Sequence, residues 1–178
     1  MHINKKVERA LNNQIKWELY SCYLYLSMSS WLDSIGLKGM SHYQFVQAQE
    51  EKDHGFKIYN YVLSRGGRVI LQQIDVPPFE WHSALQAFEH TFEHEKNVTA
   101  MIHDLVDLSI AEKDHATTNM LQWFVDEQVE EEADAEDIVN KLAMIQQGGG
   151  NKMLYTFDKE MGQRVYKPLT DTMAPGSQ

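Results

Sequence analysis

The sequence predicts an all-α chain: four long helices packed as a bundle with up-down-down-up topology, and a short fifth helix at the C-terminal end. Three observations carry this reading. Four long segments place apolar or small residues at alternating spacings of three and four, the period of one helix face. About sixteen residues from Gly66 to Trp81, interrupted by Pro77-Pro78, separate the second segment from the third. A connection of that length can run the length of a bundle and leave the helices on either side parallel, whereas the short links elsewhere make neighbours antiparallel. Finally, 178 residues with 43% hydrophobic content suffice for one well-filled domain and give no sign of a second.

The first helix spans about residues 5 to 34, with Asn4 as its cap and a stripe of Leu11, Ile15, Glu18, Cys22, Tyr25, Ser29 and Leu32. Gly36 and Gly39 punctuate the chain. Met40 and Ser41 lie near the start of the second helix, which runs to Arg65 and stops at Gly66-Gly67. In the connection, Val69, Ile70 and Leu71 could form a short strand or a subunit contact. The third helix presents Leu85, Phe88, Phe92, Glu95, Thr99, Ile102, Val106 and Ser109. The fourth, from about Asp114 to Gln146, presents Leu121, Phe124, Gln128, Glu131, Ala135, Ile138, Leu142 and Ile145. Gly148-Gly149-Gly150 should end it, and Asn151 should cap the fifth helix, whose apolar residues are Met153, Leu154, Phe157 and Met161. The domain is expected to cover residues 1–165, and 166–178 read as a loosely ordered tail.

Charge and composition exclude several function classes. Sixteen Lys and Arg against 26 Asp and Glu give a net charge of −10, with no basic cluster to track phosphates, so nucleic acid is not an expected partner. No window approaches the roughly 18 apolar residues of a membrane span, and the N-terminus lacks the apolar run of a signal peptide, so no membrane association and a cytoplasmic location are expected. Cys22 is the single cysteine, which rules out a disulfide within the chain and reads as inert packing.

The informative positions are those that break the apolar stripes. Glu18 and Glu95 each sit where the turns above and below choose apolar or small groups, and on the fourth helix two polar residues, Gln128 and Glu131, fall on the stripe. On the second helix Glu51 and His54 lie three residues apart on the inward face. In a bundle the four glutamates and His54 meet at similar depth. Unpaired buried carboxylates cost several kcal/mol each and repel one another, so without cations most would have to be neutral. Metal ions remove both penalties. Several carboxylates with one imidazole and no thiolate suit iron or manganese better than structural zinc, and bridging glutamates suit two ions a few Å apart. A polar network in an otherwise plain bundle is the alternative.

Trp17-Glu18-Leu19-Tyr20, Glu50-Glu51-Lys52-Asp53-His54, His94-Glu95 and Asp126-Glu127-Gln128-Val129-Glu130-Glu131 resemble the metal motifs of bacterial non-haem ferritins, in order and over residues 3 to about 165. The carboxylate pattern of ferritin-like bundles is itself a standard example of the fold, so the match is recognition. The resemblance implies that Glu18, Glu51 and His54 hold one iron and that Glu51, Glu95 and Glu131 serve a second, with Glu51 bridging and Gln128 close by. It further implies a third iron site at Glu50, Glu127 and Glu130, and a redox or hydrogen-bonding role for Tyr25. Glu131 stands where bacterioferritins carry a second His, and Lys52 where they carry a haem-ligating Met, so haem is not expected. The fifth helix and the in-bundle ligands differ from DNA-protecting mini-ferritins, and the single Cys differs from rubrerythrins. His42, His82, His90, His94, His103 and His115 are expected to be surface or packing residues.

The function so implied is iron storage with ferroxidase activity. Fe(II) would be oxidised by O2 or H2O2 within each subunit and stored as ferric oxyhydroxide inside a homo-oligomeric shell of 24 subunits. A di-iron oxidase or peroxidase without mineral storage is the alternative within the enzyme class, and a helical scaffold with an incidental polar core is the alternative outside it.

Overall fold

The computed structural model describes residues 2–169; of the sequence-based tail, residues 170–178 lie outside that range. Four long helices follow one another, α1 (Lys5–Ser34), α2 (Lys38–Ser64), α3 (Ala84–Ala111) and α4 (His115–Met144), and a short α5 (Gly150–Met161) closes the set. Side-chain oxygens start three of them. Asn4 accepts from the Lys6 amide at 2.8 Å, Ser83 from Gln86 at 3.1 Å and Asp114 from Thr117 at 3.2 Å, each satisfying a first-turn N–H with no intrahelical partner.

Contacts at the helix ends establish the topology. The Ile3 amide donates to the carbonyl of Arg65, so α1 begins where α2 ends. Arg65 also pairs with Asp114 at 3.1 Å, which puts the start of α4 at that same end. At the opposite end Ser29 meets Ser41, and Trp81, the last residue of the connection, packs edge-on against Trp31 with ring centroids 5.6 Å apart. The connection therefore travels the length of the bundle, α3 starts where α2 starts, and the order is up-down-down-up, as the sixteen-residue spacing predicts.

Along the connection Asn12 substitutes for a strand partner, donating to the Arg68 carbonyl at 3.0 Å and accepting from the Ile70 amide at 2.6 Å. Val69–Leu71 is accordingly irregular, and there is no strand among the described residues. Ile70 and Leu71 are exposed.

The junction between α4 and α5 differs from expectation. The α-helical part of α4 stops at Met144, and the chain widens into a π-helical turn over Ile145–Gly149 before α5 begins at Gly150. Gly150 turns the chain at φ +60°, a conformation other residues rarely adopt, so the break falls there and Asn151 lies inside α5 instead of capping it. The start of α2 is capped from a distant part of the chain. Its cap residue, Leu37, offers no side-chain acceptor; Asp158 of α5 accepts from the Gly39 and Met40 amides at 3.1 and 2.9 Å. Part of the presumed tail is also fixed to α2, since Tyr166 Oη and the Leu169 amide both donate to Asp53 Oδ2, at 2.5 and 3.2 Å.

The core is apolar at both ends and polar in the middle. One end is filled by Val7, Leu11, Ile15, Ile58, Val62, Ile102 and Leu121, the other by Leu32, Met40, Phe88, Ile138, Leu142 and Phe157. Between them lies a buried band of Gln14, Glu18, Gln47, Glu51, His54, Glu95, Gln128 and Glu131. Cys22 is half-buried beside Leu24 and Tyr25, and burial pushes its thiol up to about 11, consistent with an inert packing residue.

Candidate metal centre

Each of the four long helices brings its anomalous carboxylate to the middle of the bundle, and Glu18, Glu51, His54 and Glu95 are at most 2% exposed. Glu18, Glu51 and His54 offer one donor atom each within 4.8 Å of one another, the one such group of three or more His, Cys, Asp or Glu found among the described residues. His54 Nδ1 lies 3.5 Å from Glu51 Oε2 and 4.0 Å from Glu18 Oε2, too far for strong hydrogen bonds and suited to an ion between them. Glu18 Oε2 is buried without a hydrogen-bond partner. An orphaned carboxylate oxygen beside a second carboxylate and an imidazole is what a divalent-ion site looks like before the ion enters, and the all-oxygen-and-nitrogen donor set fits iron.

Glutamines and a phenol hold the remaining carboxylate oxygens. Gln14 Nε2 donates to Glu18 Oε1 at 2.8 Å, and Gln47 Nε2 donates to Glu131 Oε2 at 2.6 Å and, more weakly, to Glu51 Oε1 at 3.4 Å. Gln128 Nε2 donates to Glu95 Oε2 at 3.1 Å, while Tyr25 Oη donates to Glu95 Oε1. Gln128 and Tyr25 thus both contact Glu95. Trp123 and Phe124 pack edge-on against His54 and keep water from that side.

The three acidic residues expected at a third site have different surroundings. Glu127 Oε1 faces His54 Nε2 at 3.7 Å, Glu50 pairs with Arg164 at 2.6 Å, and Glu130 is exposed. His94 is buried and bonds Ser21 at 2.8 Å; burial lowers it to about 4, so it is a neutral packing residue.

The electrostatics follow from crowding four carboxylates in a dry interior. Burial, reinforced by the charge of Glu51, pushes Glu18 and Glu95 each up to about 8. Burial and the charges of Glu95 and Glu51 raise Glu131 well above its ordinary value. Glu51 goes the other way: burial opposes ionisation, but His54 beside it prevails and holds it low. His54 in turn is raised well above 6.5 against its burial, by Glu51, Glu127 and Glu18. Burial and Glu95 raise the Tyr25 phenol, which stays protonated as a donor.

Gln14 and Gln47 are absent from the sequence-based list, although a signal for them exists. Each lies four residues before a ligand-type glutamate and therefore one turn away on the same face. Arg164, beyond the last helix, carries no such signal.

A sequence profile of the Ferritin-like domain matches residues 8–145, most of the chain. This protein belongs to the ferritin family. It is 42% identical over 162 residues to a bacterial non-heme ferritin of Bacteroides fragilis, covering 91% of this chain and 99% of the relative, and 35% identical to one from Staphylococcus aureus, covering 92% and 98%. Among solved structures, an open pore ferritin from the hyperthermophilic archaeon Archaeoglobus fulgidus is 55% identical and superposes with a TM-score of 0.89, over 92% of this chain and 99% of that one. A form of the A. fulgidus ferritin engineered to be closed is 54% identical, with a TM-score of 0.90 over 93% and 99%. No helix among the described residues is long and apolar enough to cross a membrane.

Proposed function

We propose that this ferritin stores iron and oxidises it, with Fe(II) as substrate at the centre of each bundle. Glu18, Glu51 and His54 take one ion, and Glu51, Glu95 and Glu131 take the second, with Glu51 shared. The observation that carries this reading is the buried group Glu18, Glu51 and His54, in which one carboxylate oxygen has no partner within the protein.

Each residue's part follows from its surroundings. Burial raises Glu18, Glu95 and Glu131 alike; Glu18 and Glu95, at about 8, carry protons near neutrality in the metal-free chain, and entering Fe(II) displaces them. Gln14 and Gln47 hold one oxygen each of Glu18 and Glu131, which leaves the other to take an ion, while both oxygens of Glu95 accept, from Gln128 and Tyr25, and one of these bonds must give way or be shared when an ion binds there. Anionic oxygen ligands favour Fe(III) over Fe(II), the harder and more highly charged ion, and so favour loss of one electron from each iron to O2 or H2O2. Tyr25 donates to Glu95 from beside the second ion and is the group placed to supply a hydrogen bond or an electron there. The ferric product would leave as oxyhydroxide for the interior of a shell of 24 copies of this chain, in the cytoplasm.

Anaerobic Fe(II) titration of the metal-free protein, then stopped-flow mixing with oxygen, tests the reading. Saturable binding and a fast ferric absorbance are expected, with both lost in Glu51→Ala. Oxidation no faster than in buffer, or unchanged in Glu51→Ala, would overturn it.

A further inference from the structure

The chain beyond α5 reaches back to the rim of the centre. Arg164 Nη2 donates to Glu50 Oε2 at 2.6 Å and Nη1 to Gln47 Oε1 at 2.5 Å, while its guanidinium lies over the Tyr43 ring, 4.2 Å from the centroid. The backbone around it is anchored as well: the Arg164 carbonyl meets His42 Nε2 at 2.8 Å, and Tyr166 and Leu169 donate to Asp53. A fork of this kind is a directional cation, fixed in two bonds at once.

Its position has two consequences. Glu50 is one of the three carboxylates expected around an additional ion, and it is already paired with a guanidinium. Glu127 Oε1 lies 3.7 Å from His54 Nε2, and Glu130 is exposed. The second consequence concerns Gln47. With its Oε1 accepting from Arg164, only its NH2 can face the centre, where it donates to Glu131 and Glu51. Arg164 on one side and the carboxylates of Glu51 and Glu131 on the other therefore hold this amide in one orientation.

We propose that Arg164 is a built-in cation that stands in for a third metal ion beside the centre and, through Gln47, positions Glu131, so that each subunit binds two ions and not three. This rests on the reading of the centre given above.

Equilibrium dialysis of the metal-free, assembled full-length protein against Co(II), a probe that is not oxidised there, tests it by stoichiometry. Two tight ions per subunit are expected, both lost in Glu51→Ala and both retained in Glu50→Gln. Arg164→Gln should bind three, and the double variant Arg164→Gln/Glu50→Gln should return to two. Arg164→Lys keeps the charge but loses the fork, so it should bind two ions with a shifted Co(II) ligand-field band, the same shift that Gln47→Leu produces.

Three tight ions in the unaltered protein with one lost in Glu50→Gln, or two in Arg164→Gln, would overturn the substitution for a third ion. An unshifted band in Arg164→Lys would overturn the positioning role. If Arg164→Gln does not fold, the Glu50→Gln comparison in the otherwise unaltered chain still decides. Binding unaffected by Glu51→Ala would instead overturn the reading of the centre itself, a result separable from all of these.

Discussion

Glu18 and Glu95, raised to about 8, tie the stability of the metal-free protein to pH in an unusual direction. Above their ordinary value of 4.5 the unfolded chain releases these protons while the folded chain keeps them until near pH 8. The folded state then binds more protons, so stability falls as pH rises from about 5 to 8. His54 adds to the same slope, because its raised value gives stability that is present below 6.5 and lost as it deprotonates at higher pH. Glu51, held low, stays ionised throughout and contributes no slope there. Thermal melts of the metal-free protein should therefore show a falling Tm from pH 5.5 to 8, flattened in Glu18→Gln; a Tm that rises over that range would contradict the protonated centre. Tyr25→Phe removes a donor from buried Glu95 and should cost about 1–3 kcal/mol in metal-free stability by denaturant unfolding. The glutamates and His54 were legible because each violates an apolar stripe, and such violations are expensive enough to need a reason. Arg164 was not, since nothing in the spacing of residues 162–169 indicates which helix face they return to.

At the scale of the elements, α5 and α2 form a single unit. A Cβ on Gly39 would come within 1.6 Å of the Asp158 carbonyl, so the two backbones touch where only glycine fits, and Asp158 supplies the cap that Leu37 cannot. Asp158→Ala should cost about 1 kcal/mol by loss of a cap, and Gly39→Ala about 1–3 kcal/mol or more by overpacking. Hydrogen exchange is the measurement: protection should drop across 150–161 in both variants while α1 and α3 keep theirs, and uniform loss across all helices would show that α5 is not a separable layer. The start of α2 was legible in sequence to within a few residues, but its cap was not, because the capping side chain is about 120 residues away. The break after α4 was legible in the glycine triplet, but Asn151 was misassigned as the cap of α5, because the triplet signals a break without saying which glycine takes the positive φ.

The whole molecule divides its proposed task between an inside and an outside. Every residue proposed for the centre comes from one chain, so the proposed oxidation needs no neighbour, whereas the proposed retention of a mineral needs an enclosing assembly. The outer surface carries the apolar groups a shell would use: Tyr23 and Leu26 on α1 face Val76 and Phe79 of the long connection around one groove, and Phe79 is 70% exposed. The connection was legible as a bundle-length crossover from its length and its prolines; the groove it forms with α1 was not, because a stripe facing outward has the same period as one facing inward. If this chain assembles into the proposed shell, a second copy of it would cover this groove. The double variant Leu26→Arg/Phe79→Arg places two cations on that face and should reduce the assembly, by native mass and light scattering, to small species that remain helical. Those species should still bind Fe(II) and oxidise it rapidly, yet leave the ferric product as a precipitate that pellets apart from the protein. A variant that keeps both its full assembly and a soluble iron core would show that this groove lies off the subunit interface, and a small species that no longer oxidises iron would show that the centre depends on the shell.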